Sequence, residues 1–222
     1  MSLWEYVEDR WDLIVFETLQ HASMVAQCVL VAAVLGVLIG VATYRRARPS
    51  AFAIAAAGGA VHGAVAGHVG PADPAARPGR GPPAVTAIVL YALLPIVRNT
   101  VVGLQGVDPL LVDAARGIGM SRRRSLARVE LPLAWPVILT GIRVATQLAM
   151  GIGAVAAFVS GPGLGEQIFS GLARLGGANA VNATLTGTIG VAILALIFDG
   201  VFVLIGRLTT PSRRPATGGA RG

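Results

Sequence analysis

Long apolar runs with few or no charged residues recur along the chain. The clearest is Ala22–Thr43, which is rich in valine, leucine and alanine and is followed at once by Arg45, Arg46 and Arg48. A transmembrane α-helix needs about 20 consecutive, mostly apolar residues. Only 13% of the 222 residues are charged, about half the share that is usual in a soluble domain. The sequence therefore predicts an integral membrane protein with one membrane domain.

The arginines predict how these spans are oriented. Because positive residues collect on the cytoplasmic side of a membrane, the end of Ala22–Thr43 should be cytoplasmic. Five crossings, with the N-terminus outside and the C-terminus inside, then place the arginine clusters at 45–48, 116–128 and 207–214 in the cytoplasm. We expect an all-α, polytopic transmembrane bundle over residues 21–210, an amphipathic segment over residues 1–20 and a disordered tail over residues 211–222. The other four predicted spans are Ala51–Val69, Pro83–Val97, Leu133–Val159 and Ala183–Ile205.

Several classes of function are excluded or disfavoured by the residues that are missing. All 18 basic residues are arginines, so a Walker-type phosphate-binding loop, which needs its lysine, is absent and ATP hydrolysis by that mechanism is excluded. Cys28 is the only cysteine, and the three histidines have no supporting ligands, so no metal site is predicted. The arginines lie at the ends of apolar runs, which indicates membrane topology and not nucleic-acid binding. No catalytic residue and no cofactor are predicted in this chain. The histidines are His21, His62 and His68.

A spaced motif lies in the arginine-rich stretch at residues 106–132. An acidic residue and two alanines are followed after three residues by glycine, after nine more by a β-branched residue, and after one more by Leu-Pro. This spacing resembles the cytoplasmic signature loop of ABC importer permeases, although Asp113 replaces the usual glutamate and Val129 the usual isoleucine. The matching residues are Asp113, Ala114, Ala115, Gly119, Val129, Leu131 and Pro132.

The resemblance extends from about Tyr91 to Thr209. Two further stretches, residues 94–100 (LPIVRNT) and 161–165 (GPGLG), are similar to permeases for osmoprotectants such as glycine betaine, carnitine and choline. The resemblance implies a multi-pass permease subunit in the bacterial cytoplasmic membrane, surrounded by lipid. It also implies three partners: a second permease subunit, a cytoplasmic subunit that binds ATP and magnesium, and an extracytoplasmic substrate-binding protein. The chain itself would not be an enzyme.

The resemblance also implies a role for the motif, and we call residues 106–132 the coupling loop. In the family, a short helix of this loop docks on the ATP-binding subunit and transmits its closure to the spans. Asp108 or Pro109 should begin that helix, Asp113 should complement the dipole in an early turn, and Gly119 should end the helix. The alternative is an ordinary basic cytoplasmic loop that only enforces topology.

Three polar residues interrupt the last two predicted spans. Arg143 and Gln147 lie in one span and Asp199 in the other. Ionisable groups are costly in lipid and therefore face the bundle interior or a cavity. They could line a translocation pathway, or they could pair across the bundle or snorkel to the interface. Both interpretations fit the sequence.

Residues 58–82 depart from the family pattern, because they contain no leucine, isoleucine or phenylalanine where an apolar span is expected. One explanation is a glycine-rich helix packed closely against its neighbours. Another is a local reading-frame shift that is later compensated. The departure supports an alternative function, that of a defective or structural membrane protein of the same family. A stand-alone channel or carrier is a third possibility, but no repeated half and no pore-lining charge pattern is present.

Overall fold

The computed structural model describes residues 2–45, 81–160 and 163–210, and within these ranges it contains helices and no β-strand. The predicted span Ala51–Val69 and most of the anomalous segment lie outside the described residues, and Gly81 and Pro82 begin a helix. The helices are α1 (Leu3–Asp9), α2 (Trp11–Thr43), α3 (Gly81–Gln105), α4 (Pro109–Gly117), α5 (Arg122–Ser125), a π-helical turn (Leu126–Glu130), α6 (Leu131–Ser160), α7 (Leu164–Ala173) and α8 (Ala180–Thr209).

Four of the described helices are long and apolar enough to cross a membrane: α2, α3, the continuous helix that includes α6, and α8. The predicted all-α transmembrane bundle is confirmed. The helices are longer than the apolar runs, since α2 begins at Trp11 and not near Ala22. No proline or glycine interrupts residues 11–22, so the helix continues into the amphipathic segment. The short helix α7 was not predicted, because glycines flank it on both sides.

Helix α3 packs between α2 and α6, and small residues make these contacts close. A Cβ added at Gly36 or Gly40 of α2 would lie 2.7 Å from Ile96 or 2.5 Å from Thr100 of α3. A Cβ added at Gly141 of α6 would lie 2.9 Å from the carbonyl oxygen of Pro95. Close approach at small residues is a main source of helix association in membranes, where lipid is as apolar as leucine. The core of the bundle therefore centres on α3.

One end of the bundle collects the ends of four helices. Gln105, at the end of α3, donates a 2.8 Å hydrogen bond to the carbonyl oxygen of Tyr44, which follows α2. Trp135, near the start of α6, donates a 2.7 Å bond to Thr209 at the end of α8. This end also carries Arg45 and the coupling loop, and the positive-inside rule predicts that it is the cytoplasmic end. The pairing of the helix ends agrees with the predicted orientation.

Candidate functional site

Helix α4 of the coupling loop begins with a side-chain N-cap and a proline in its first position. The Asp108 carboxylate accepts a 2.9 Å hydrogen bond from the Leu110 amide, and Pro109 occupies the first helical position. Both features are favoured at helix N-termini. Asp113 is the fifth residue of α4, so it lies beyond the first turn, where the helix dipole acts most strongly. The acidic group at the positive end of the helix is Asp108, and Asp113 lies 3.4 Å from Arg116 on the exposed surface.

The end of α4 is a glycine-dependent turn. The Gly119 amide donates to the carbonyl of Arg116 at 2.9 Å, and the Met120 amide donates to that of Ala115 at 3.1 Å. These two bonds form a Schellman motif. Gly119 follows the end of α4, as the sequence predicted, and its φ is 83°, a conformation that only glycine adopts without strain. The turn reverses the chain between α4 and α5.

The two faces of α4 differ sharply in exposure. Ala115 is buried against the loop, whereas Asp113 and Ala114 are exposed. Leu110 is 75% exposed and Ile118 is 76% exposed, and both lie in the loop that leads into α6 and not in one of the four long apolar helices. The remaining motif residues lie on the helix that leads into the membrane: Val129 and Leu131 are half-buried and Pro132 is exposed. The loop therefore presents an apolar, partnerless surface to water.

A buried carboxylate, which the sequence analysis missed, lies at the base of the coupling loop. Glu130 is 3% exposed, and its Oε2 accepts a 2.6 Å hydrogen bond from the Tyr44 hydroxyl. Its Oε1 accepts bonds from Arg45 at 2.9 Å and from Ser125 at 3.2 Å. The signal in the sequence was a lone glutamate immediately before Leu-Pro at a membrane boundary. Tyr44 gave no signal, because an aromatic residue at the end of a span is ordinary interfacial chemistry.

The Tyr44 hydroxyl remains a hydrogen-bond donor throughout the physiological range. Burial, together with the bond to Glu130, raises the pKa of Tyr44 above its usual value. An unperturbed tyrosine already titrates only near pH 10. The phenol therefore stays protonated and can donate to the carboxylate, and Arg45 in turn donates to the phenol oxygen.

The structure brings the three intramembrane polar residues together. Arg143 of α6 and Asp199 of α8 form a bidentate ion pair, with N–O distances of 2.5 and 2.6 Å. Gln147 donates to the carbonyl of Ala195 at 3.2 Å and to Asp199 at 3.4 Å. The pair lies on the surface of the single chain, because the Arg143 and Asp199 side chains are 44% and 28% exposed. The residues thus pair across two helices and still face outward.

A second polar cluster lies near the other end of the bundle. His21 and Glu17 of α2 are buried, and both imidazole nitrogens and one carboxylate oxygen have no hydrogen-bond partner. Tyr6 of α1 donates a 3.0 Å bond to Gln167 of α7 at the same end. Within the described residues, no group of three or more His, Cys, Asp or Glu side chains could hold a metal ion. His62 and His68 lie outside the described residues.

The fold and the loop define a class of protein: a polytopic membrane component with an exposed, arginine-rich loop between two of its long helices. Comparison with known families narrows this class. The chain belongs to the family of binding-protein-dependent transport system inner membrane components, whose model matches residues 76–210. This range includes all of the coupling loop, and the family consists of transport components and not of enzymes.

Curated relatives carry more specific names. The osmoprotectant import permease protein OsmY of Salmonella typhimurium is 42% identical over 129 residues, which cover 58% of this chain and 53% of the relative. The choline transport system permease protein OpuBB of Bacillus subtilis is 40% identical and covers 59% and 58%. The glycine betaine/carnitine/choline permease protein OpuCB of the same organism is 40% identical and covers 58% of each. The chain thus spans little more than half the length of these relatives.

A solved structure supports the fold. The chain is similar to a chain of the MetNI methionine ABC transporter in an inward-facing conformation, with a TM-score of 0.74. The match covers 95% of this chain and 100% of that one at 20% sequence identity. Because the match covers 95% of the chain, the likeness extends well beyond residues 76–210, the range of the family model.

Proposed function

We propose that the chain is the membrane-spanning permease subunit of an ATP-driven, binding-protein-dependent importer for small osmoprotectant solutes in the bacterial cytoplasmic membrane. The observation that carries the proposal is the built coupling loop. A capped helix ends in a Schellman turn and exposes Leu110 and Ile118 at the arginine-rich end of the bundle. An exposed apolar surface on a rigid helix is typical of a protein-docking site.

The partner that fits this surface is the cytoplasmic ATP-binding subunit. The chain has no Walker lysine, so ATP and its magnesium ion belong to that subunit. The Schellman turn and the Asp108 cap fix the short α4 at both ends, which lets the helix move as a rigid body. From α5 the chain runs through the π-helical turn directly into α6. A displacement of α4 is therefore transmitted to α6 through a short stretch of the chain.

A second permease subunit, of the same or a similar chain, explains the exposed ion pair. Arg143 lies 12 residues after the start of α6 (143 − 131) and Asp199 lies 10 residues before the end of α8 (209 − 199). At about 1.5 Å per residue, both are deep in the membrane, where lipid contact is unfavourable. In the most apolar 18-residue stretch of α8, only 6% of the residues are buried within this chain. A second subunit or a water-filled pathway between the two would cover this face.

The substrates we propose are quaternary ammonium and related solutes: glycine betaine, carnitine, choline or ectoine-like compounds. The names of the relatives support this class. Recognition of a quaternary ammonium group usually uses an aromatic cage. Aromatic residues make up only 5% of this chain, so we assign selectivity to an extracytoplasmic substrate-binding protein.

Uptake and copurification together test the proposal. The tagged chain is expressed in its host, and we expect an ATP-binding subunit to copurify and labelled glycine betaine, carnitine or choline to enter only when that subunit hydrolyses ATP. Ile118→Glu places a charge on the docking surface and should abolish copurification while the protein stays in the membrane. Arg123→Ala is the control, because Arg123 is exposed on the same loop. A chain that transports without any ATP-binding subunit would contradict the proposal.

A further inference from the structure

The coupling loop is joined to α6 by the chain itself, whereas in the described residues the end of α2 is hydrogen-bonded to it through side chains. Tyr44 and Arg45 follow directly after α2, and both donate to the carboxylate of Glu130. Within the described part of the chain, every hydrogen bond from the end of α2 to the coupling loop ends on this carboxylate. Ser125 donates to the same carboxylate from α5. Three side chains from two segments thus converge on one buried group.

Glu130 is the last residue of the π-helical turn Leu126–Glu130 and is buried. One extra residue in a helical turn rotates the following residues by about 100° relative to an uninterrupted α-helix. Arg128 and Pro132, two residues away on either side, are exposed, while Glu130 is buried. Single π-helical turns inside α-helices are frequent at functional sites. The turn therefore lies between the exposed part of the coupling loop and Glu130, which accepts hydrogen bonds from the residues that follow α2.

The link to α2 continues into α3. Gln105 donates to the carbonyl oxygen of Tyr44 at 2.8 Å, and Gly40, one turn earlier on α2, lies against Thr100 of α3. A displacement of the Tyr44 side chain therefore acts on the end of α2, which is hydrogen-bonded to and packed against α3. The contacts form one continuous chain from the coupling loop through Glu130 to α2 and α3.

We propose that Glu130 is a positioning residue that couples the cytoplasmic end of α2 to movement of the coupling loop. The proposal rests on the proposed function, since it assumes that an ATP-binding subunit moves the loop. The carboxylate acts as a shared acceptor, and it transmits displacement because both of its oxygens are occupied by donors from α2. Without it, the loop would still move α6, but α2 would not follow.

Two substitutions test this link in the assembled transporter. Glu130→Gln keeps the size but replaces one acceptor oxygen by a donor group that opposes Arg45, and Tyr44→Phe removes only the hydroxyl. We expect Glu130→Gln to keep the ATP-binding subunit bound and hydrolysing ATP, while uptake per ATP hydrolysed falls about tenfold, the loss expected when a charge-assisted hydrogen bond is removed. Tyr44→Phe should lose less, because Arg45 and Ser125 still hold the carboxylate.

The double variant distinguishes coupling from independent structural damage. If the two groups act through one link, Tyr44→Phe should add little to Glu130→Gln. Tyr91→Phe on α3 is the matched control, because the Tyr91 hydroxyl has no hydrogen bond among the described residues. Parallel losses of uptake and ATP hydrolysis, or unchanged uptake per ATP, would overturn the proposal. If the Glu130→Gln variant does not fold, Tyr44→Phe is measured instead. An uptake per ATP hydrolysed equal to that of the parent would then overturn the proposal.

A distance measurement provides a readout that a purely structural role would not change. Cys28→Ala removes the only cysteine, and spin labels are then placed at Ala42 and Ala127, which are both exposed. In the complex with the ATP-binding subunit, the distance between the labels should stay the same between the nucleotide-free and ATP-trapped states. In Glu130→Gln it should change or broaden on trapping. A change of equal size in the parent would refute the link.

The parent protein shows which of the two proposals has failed. If the unsubstituted chain binds no ATP-binding subunit, the proposed function is wrong. If the parent is coupled and Glu130→Gln is equally coupled, only the role of Glu130 is wrong.

Discussion

The turn at Gly119 allows a backbone requirement to be separated from a contact requirement. Its φ of 83° costs an L-residue with a Cβ about 1–2 kcal/mol. A Cβ added at Gly119 meets no atom of this chain within 4 Å, so the subunit itself contributes no clash. Gly119→Ala should therefore lower the population of the folded turn by about 5- to 30-fold. Gly119→Asn should lose less, because asparagine tolerates the left-handed conformation.

The assay compares three variants for uptake and for copurification of the ATP-binding subunit. The expected order of impairment is asparagine least, alanine next and leucine most, because a large side chain adds a clash in the docked interface. All three should reach the membrane, since insertion depends on the apolar spans. Arg123→Ala on the same loop should be milder, because Arg123 is exposed.

Two results would refute this reasoning. An alanine variant that assembles better than the asparagine variant would show that side-chain size, and not φ, determines the tolerance at Gly119. A leucine variant that transports and assembles like the parent would show that this loop is not the coupling element.

Three further predictions concern the membrane domain. Gly40→Ala should lower the thermal unfolding temperature in detergent, because overpacking costs about 1–3 kcal/mol. Gly151→Ala is the control and should not lower it, since a Cβ there meets nothing within 4 Å. Equal unfolding temperatures for the two variants would contradict the packing of α2 on α3. Arg143→Gln and Asp199→Asn should each reduce folded protein more than the double variant, because each leaves one charge unpaired; additive losses would count against the pair. A reporter fused after Arg128 should report cytoplasm, and a periplasmic signal would overturn the orientation.

Hydropathy predicted most of the membrane fold because lipid imposes one simple rule. Each backbone group in the bilayer needs an internal partner, so an apolar run becomes a helix. The predicted spans that end at Thr43, Val159 and Ile205 end within a few residues of the ends of the helices α2, α6 and α8 that contain them. The start of α2 was missed, because Glu17 and His21 look like the limit of a span although the helix buries both. Burial by neighbouring helices is not visible in a single apolar run.

The coupling loop was predictable in part because turns have local rules. Asp108-Pro109 and Gly119 determine their own backbone conformation, so the sequence was enough to place the ends of α4. Glu130 could not be found in this way, because its partners Tyr44 and Arg45 lie 86 and 85 residues away in the chain. No local pattern links a carboxylate to a tyrosine in another helix. Only the packing of α2 beside the loop brings them together.

The ion pair between α6 and α8 shows why two sequence interpretations need not exclude each other. Pairing across the bundle and lining a pathway appeared to be alternatives, but Arg143 and Asp199 are paired and remain 44% and 28% exposed. Pairing reduces the penalty of placing each charge in a membrane, whereas lipid contact would keep a substantial part of it. A pair that served only to join two helices would be more stable if it were buried between them. Its outward position therefore favours a neighbouring subunit or a water-filled pathway on this face.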